Sequence, residues 1–108
     1  MTFDKQYQGD LEATGVGQML TGMTITDGSA VYVALERLQG TIAGRRGSFI
    51  IHHRGIMDRG AHVLDISVVP DSGTDELEGL HGTMSIAISE GIHSYEFTYG
   101  FRERHEAG

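Results

Sequence analysis

Ala30-Val31-Tyr32-Val33-Ala34-Leu35-Glu36-Arg37-Leu38-Gln39-Gly40-Thr41-Ile42, followed by Ala43-Gly44-Arg45-Arg46-Gly47 and then Ser48-Phe49-Ile50-Ile51-His52-His53-Arg54-Gly55-Ile56-Met57, is the stretch that decides the fold. Two runs rich in β-branched and apolar residues flank a glycine-rich turn, which is the signature of an antiparallel hairpin. In the first run Val33 and Leu35 point to one face, and Tyr32, Ala34, Glu36 and Leu38 to the other. Both faces carry apolar residues, so the run leaves its buried face open, and a bulge near Gln39-Gly40 would exchange the two. In the second run Phe49, Ile51 and His53 oppose Ser48, Ile50 and His52.

Outward from this pair the same grammar repeats. Asp58-Arg59-Gly60 is a turn, Ala61 to Val69 a strand, and Pro70-Asp71-Ser72-Gly73 ends it. Asp75 to Leu80 suits one helical turn, with Ser72 or Thr74 as N-cap. Thr83 to Ser89 and His93 to Phe101 form a last hairpin across Glu90-Gly91. Upstream, Asp27-Gly28 is a strong hairpin signal, and Ala13 to Thr26 reads as a strand broken by a bulge or bend at its glycines. Thr2 to Leu11 is a weaker strand. Sixteen glycines and one proline punctuate the chain. The expectation is an all-β fold: a small antiparallel β-barrel or bent sandwich of about seven or eight strands, with at most one short helix. Glu36-x-Leu38-x-Gly40-Thr41-Ile42 recurs as Glu78-x-Leu80-x-Gly82-Thr83-Met84, which two similar strand entries would explain.

The 108 residues fit a single domain spanning positions 1–108. Without cysteine there is no disulfide and no thiolate metal site. Fifteen acidic residues against eight Lys and Arg give a net charge of −7, and Arg45-Arg46 is the best basic cluster, so nucleic acid is not an expected partner. No apolar signal core follows Met1, and no run reaches the roughly 20 apolar residues of a membrane helix, so the expectation is a cytoplasmic chain with no membrane partner.

Each candidate site has a structural reading beside the chemical one. His52 and His53, as strand neighbours, point to opposite faces and cannot grip one metal together; neither a metal nor another cofactor is expected. One of the two faces inward, as a core histidine or a pocket acid/base. Glu36 lies mid-strand among apolar residues: it is either a general acid or base in a low-dielectric place, or a solvated group paired with Arg37 or Arg54. Asp65 and Glu96 are further mid-strand carboxylates. Asp71-Ser72-Gly73 has the letters of an aspartic-peptidase motif, yet Asp, Ser and Gly are also what a turn requires. Tyr95, Phe97, Tyr99 and Phe101 place half of the aromatic residues on one face of the last strand, as core, subunit interface or ligand wall. About the Gly44–Gly47 turn, Glu36 and His53 fall at similar distances on adjacent strands and become near neighbours unless a bulge separates them.

Taken together, Gly28 to Arg37, Gly40-Thr41-Ile42-x-Gly44-Arg45-x-Gly47-Ser48-Phe49, His53, Val68-Val69-Pro70-x-Ser72-Gly73-Thr74 with Leu77 to Gly82, and His93-x-Tyr95-x-Phe97-x-Tyr99 resemble a family of small bacterial proteins, domain of unknown function 3224. The resemblance implies a small barrel like that of allene oxide cyclases, in the calycin-like group. It also implies a further N-terminal strand that this chain shortens or replaces with an edge covered by another subunit. Allene oxide cyclases bind an apolar epoxide and steer its ring closure, but no cyclase motif maps onto this chain. A self-cleaving, aspartic-peptidase-like activity in the group would rest here on Asp71 or Glu36.

The functional expectation is therefore a binding module whose interior or mouth accepts a small, partly apolar molecule. Ser48, Asp65 and Tyr95 are candidate ligand contacts. The alternative is an enzyme, either an isomerase or cyclase using Glu36 and His53 as acid and base, or a hydrolase using Asp71. A homo-oligomer is expected, because the aromatic stripe and the short N-terminus both call for cover.

Overall fold

The computed structural model describes residues 1–89 and 92–102. Seven strands, β1 (Thr2–Tyr7), β2 (Leu11–Met23), β3 (Ala30–Ile42), β4 (Arg45–Asp58), β5 (Ala61–Val68), β6 (Leu80–Ser89) and β7 (Ile92–Phe101), form one antiparallel sheet in the order β1-β2-β3-β4-β5-β6-β7. A single turn of 3-10 helix at Asp75–Leu77 is the only helix among the described residues, and none is long and apolar enough to cross a membrane. The all-β expectation holds in its open form. The sheet bends but does not close into a barrel, since β1 and β7 are its two edges.

The bend is visible in what the end strands touch. Tyr7 on β1 meets Tyr95 on β7 with ring centroids 5.2 Å apart, and Phe97 on β7 stacks over Phe49 on β4 at 6.1 Å. The seam lies between β5 and β6, which pair only at Ile66–Met84 and Ser67–Thr83. Around this curl buried and exposed positions alternate through the first half of β2 and the middle of β3 and β4. Ala13, Ala34, Leu38, Phe49, Ile51, Ile66, Val68, Leu80 and Met84 are buried, with Phe97, Tyr99 and Phe101 packed against them. Leu77, fully buried, plugs one end from the 3-10 turn. At about 25 cal/mol per Å² of apolar surface, this layer is the main source of stability.

Several local expectations are corrected. β2 is not broken: its register with β3 runs without interruption from Leu11–Ile42 to Met23–Ala30. No bulge at Gln39-Gly40 exchanges the faces of β3. The β3–β4 turn is tighter than five residues. Only Ala43 and Gly44 form it, at φ 49° and 84°, the left-handed pair that matches strand twist. Asp27-Gly28 belongs to a longer loop, which the Thr24 hydroxyl organises by donating to the Ser29 carbonyl. Neither Ser72 nor Thr74 caps the 3-10 turn through its side chain. Instead their hydroxyls reach β4, where the Ser72 oxygen accepts from Ile50 N–H and the Thr74 oxygen from Ser48 N–H. Competition between capping and strand-edge pairing is settled by the free N–H groups of β4 beyond the end of β5. The repeat motif splits in fate: Leu38 and Leu80 are both core, but Glu36 is buried and Glu78 exposed. Glu90 and Gly91, where the last turn was expected, lie outside the described residues.

Candidate functional site

Glu36 and His53 come together as a diagonal pair. In the β3–β4 register Glu36 stands opposite Ile51 and Ala34 opposite His53, which places the two side chains on the same inward face one step apart. His53 Nε2 lies 3.0 Å from Glu36 Oε1. The other carboxylate oxygen, Oε2, accepts a 2.7 Å bond from the Tyr7 hydroxyl, delivered across β2 from the sheet edge. An ionised carboxylate only accepts, so His53 presents Nε2–H to it. Glu36 and His53 side chains are 0% and 4% exposed. Phe3 meets the His53 ring edge-on at 6.4 Å, and Tyr95 covers Tyr7. Burial, then the bond to Glu36 and that carboxylate's charge, push the Tyr7 hydroxyl far above the usual tyrosine range, so it stays protonated and donates.

One glycine makes the arrangement fit. Gly15 on β2 lies in the gap that Tyr7 must span, and a Cβ there would collide with Glu36 Oε2 and stand 2.9 Å from its Cδ. Every buried side-chain nitrogen and oxygen among the described residues has a partner. The cluster is therefore a closed, satisfied network tying β1, β3 and β4, of the kind that fixes a unique core.

The open space is on the other face. A trough of about 1260 Å³ crosses β2 to β6. Strand alternation puts Val16, Gln18, Leu20, Val33, Leu35, Arg37, Ile50, His52, Arg54, Asp65, Ser67 and Thr83 of its lining on the face opposite the Tyr7–Glu36–His53 network. Gly17, Ala34, Glu36, His53, Leu64, Ile66 and Met84, inward by the same alternation, also line it, and the side chains of Glu36 and His53 are almost sealed. Val16, Leu20, Val33 and Leu35 are 64%, 73%, 45% and 60% exposed, a contiguous apolar surface that folding leaves uncovered. Its polar margin is organised: Arg54 donates to Asp65 at 2.6 Å, and His52 Nε2 meets the Ser67 hydroxyl at 2.6 Å.

The remaining sequence candidates scatter. Asp65 lies in the trough, while Tyr95 joins the inward network through Tyr7. Ser48 pairs with the Thr74 hydroxyl at 2.8 Å near the β3–β4 turn. Asp71 is exposed in the turn after β5, where its φ of 64° suits a turn residue. Sequence reasoning missed Tyr7, Gly15 and the apolar members of the trough. For the last of these the signal was present, since β3 is apolar on both faces.

A family described as "protein of unknown function (DUF3224)" matches residues 1–99. A crystal structure of a DUF3224 protein of unknown function from Shewanella oneidensis MR-1 is 49% identical and superimposes with a TM-score of 0.92, over 96% of this chain and 78% of that one. No functionally curated protein matches.

Proposed function

The chain belongs to the DUF3224 family, and we propose that it is a small-molecule-binding module whose site is the trough on the open face of the sheet, where a partly apolar ligand lies. The observation that carries this is the row of Val16, Leu20, Val33 and Leu35 side chains exposed within one cavity of about 1260 Å³. Ligand sites are concave, mostly apolar and edged by a few placed polar groups. Here Arg37, His52, Arg54, Asp65 and Ser67 supply the edge. Acid/base chemistry through Glu36 and His53 has less support, because their side chains are buried and already bonded to each other and to Tyr7. The curled meander around an aromatic core is in keeping with an allene oxide cyclase-like, calycin-type ancestry, and this bears on fold alone.

The test is fluorescence enhancement of N-phenyl-naphthylamine, a neutral polarity-sensitive probe, on the wild-type chain and on Leu35→Glu. The substituted side chain is already exposed, so its folding stability should change by about 0.5 kcal/mol or less, while probe binding should be lost. Equal binding by both chains refutes the site. The same apolar face supports a second reading, self-association into a homo-oligomer, which sedimentation of the two chains at matched concentration tests directly.

A further inference from the structure

We infer that the trough selects an anionic amphiphile, a single-chain carboxylate whose head group is gripped by Arg37 and whose tail lies along the outward side chains of β3. This rests on the trough being the binding site and adds the ligand's chemical class.

The chain carries fifteen acidic residues against eight Lys and Arg, so cationic surface is scarce. In the trough lining the charges are Arg37, Arg54, Asp65 and Glu36. Arg54 and Asp65 close on each other at 2.6 Å, and the Glu36 carboxylate sits behind the sheet on Tyr7 and His53. Arg37 is left with no ion pair among the described residues. The open cavity of an acidic protein is thus left with one uncompensated charge, and that charge is positive.

The β2–β3–β4 register places Arg37 directly between Val16 and Ile50. An exposed Arg37 flanked on β2 and β4 by apolar residues is free to take a carboxylate by a forked pair of N–H bonds. From Arg37 the same face of β3 continues through Leu35 and Val33 to Val31, all 42–60% exposed, with Leu20 opposite Val33. At about 3.4 Å per residue this lane is roughly 20 Å long, enough for an extended chain of about ten carbons or more.

The test is isothermal titration of the wild-type chain and of Arg37→Gln with decanoate, decanol and decylammonium, each below its aggregation concentration. Arg45→Gln, outside the trough lining, is the control. Decanoate should bind wild type roughly 10- to 100-fold more tightly than decanol, the range expected of hydrogen bonds to a charged group. Arg37→Gln should bring decanoate down to the level of decanol and leave decanol within about twofold, while Arg45→Gln changes neither. Equal wild-type affinity for decanoate and decanol, a preference for decylammonium, or a decanoate advantage that survives Arg37→Gln overturns the anion assignment while leaving the trough as a site. Binding of none of the three overturns the trough reading itself.

Discussion

Replacing Gly15 with alanine puts a single methyl group against the buried network. In an ordinary strand position with extended backbone, Gly→Ala is neutral or stabilises by about 0.4–1 kcal/mol, because the unfolded chain loses freedom. At Gly15 the new Cβ would overlap Glu36 Oε2 and lie 2.9 Å from Cδ. The carboxylate cannot stay, and its Oε2 is the acceptor of the Tyr7 hydroxyl. Losing that charge-assisted bond costs about 1.5–3 kcal/mol, so the net loss is about 1–2 kcal/mol. If the shift also breaks the His53 contact, a buried charge is left uncompensated and the loss rises to about 3–5 kcal/mol. Urea unfolding followed by far-ultraviolet circular dichroism is the assay, since the chain has no tryptophan to report. The decisive comparison repeats Gly15→Ala in a Glu36→Ala background, where no carboxylate stands in the way. There the substitution should be neutral or mildly stabilising, giving a coupling of about 2 kcal/mol or more against an additivity error of about 0.5. An equal loss in both backgrounds would refute the role given to Gly15.

Tyr7 is held protonated well above the ordinary tyrosine range, and burial moves Tyr32 in the same direction. Above about pH 10 the unfolded chain releases protons that the folded chain keeps, so this contribution is flat below that pH and stability falls as pH rises, by up to about 1.4 kcal/mol per unit for Tyr7 and by less for the more exposed Tyr32. Tyrosinate absorbance should therefore show a step coincident with loss of the β circular-dichroism signal, and Tyr7→Phe should shrink it; full reversible titration of all tyrosines with the fold intact would contradict this. Leu77→Ala, which empties the plug supplied by the 3-10 turn, should cost about 2–5 kcal/mol in urea unfolding, and a loss below about 1 kcal/mol would mean that the turn is not part of the core.

Much of the fold could be read in the chain because period-two alternation and glycine-bearing turns act locally. β3 has the bounds expected of it, and the relation of Glu36 to His53 follows once the turn between their strands is known. What could not be read depends on distant partners. The glycines of β2 suggested a bend, whereas Gly15 clears space for a side chain twenty-one positions away, a demand invisible until β2 and β3 are in register. Tyr7 joins the network through space across an intervening strand, and no spacing rule encodes that. The outward face of β3 was ambiguous for a physical reason: its Val33 and Leu35 are as apolar as the inward Ala34 and Leu38, and folding covers only one set. Ambiguity in the pattern marked the surface where the trough lies.

The strictly sequential order of the sheet bears on how the molecule assembles. Every ladder joins strands that follow one another in the chain, so each hairpin can close at small entropic expense without waiting for remote segments. The Tyr7–Glu36 bond is of another kind. It links residues 29 positions apart and can form only when β1, β2 and β3 are all in register. The network thus behaves as a latch set late in assembly, after the zippering of individual hairpins. Weakening it should leave the rate of folding nearly untouched and speed the rate at which the native sheet comes apart.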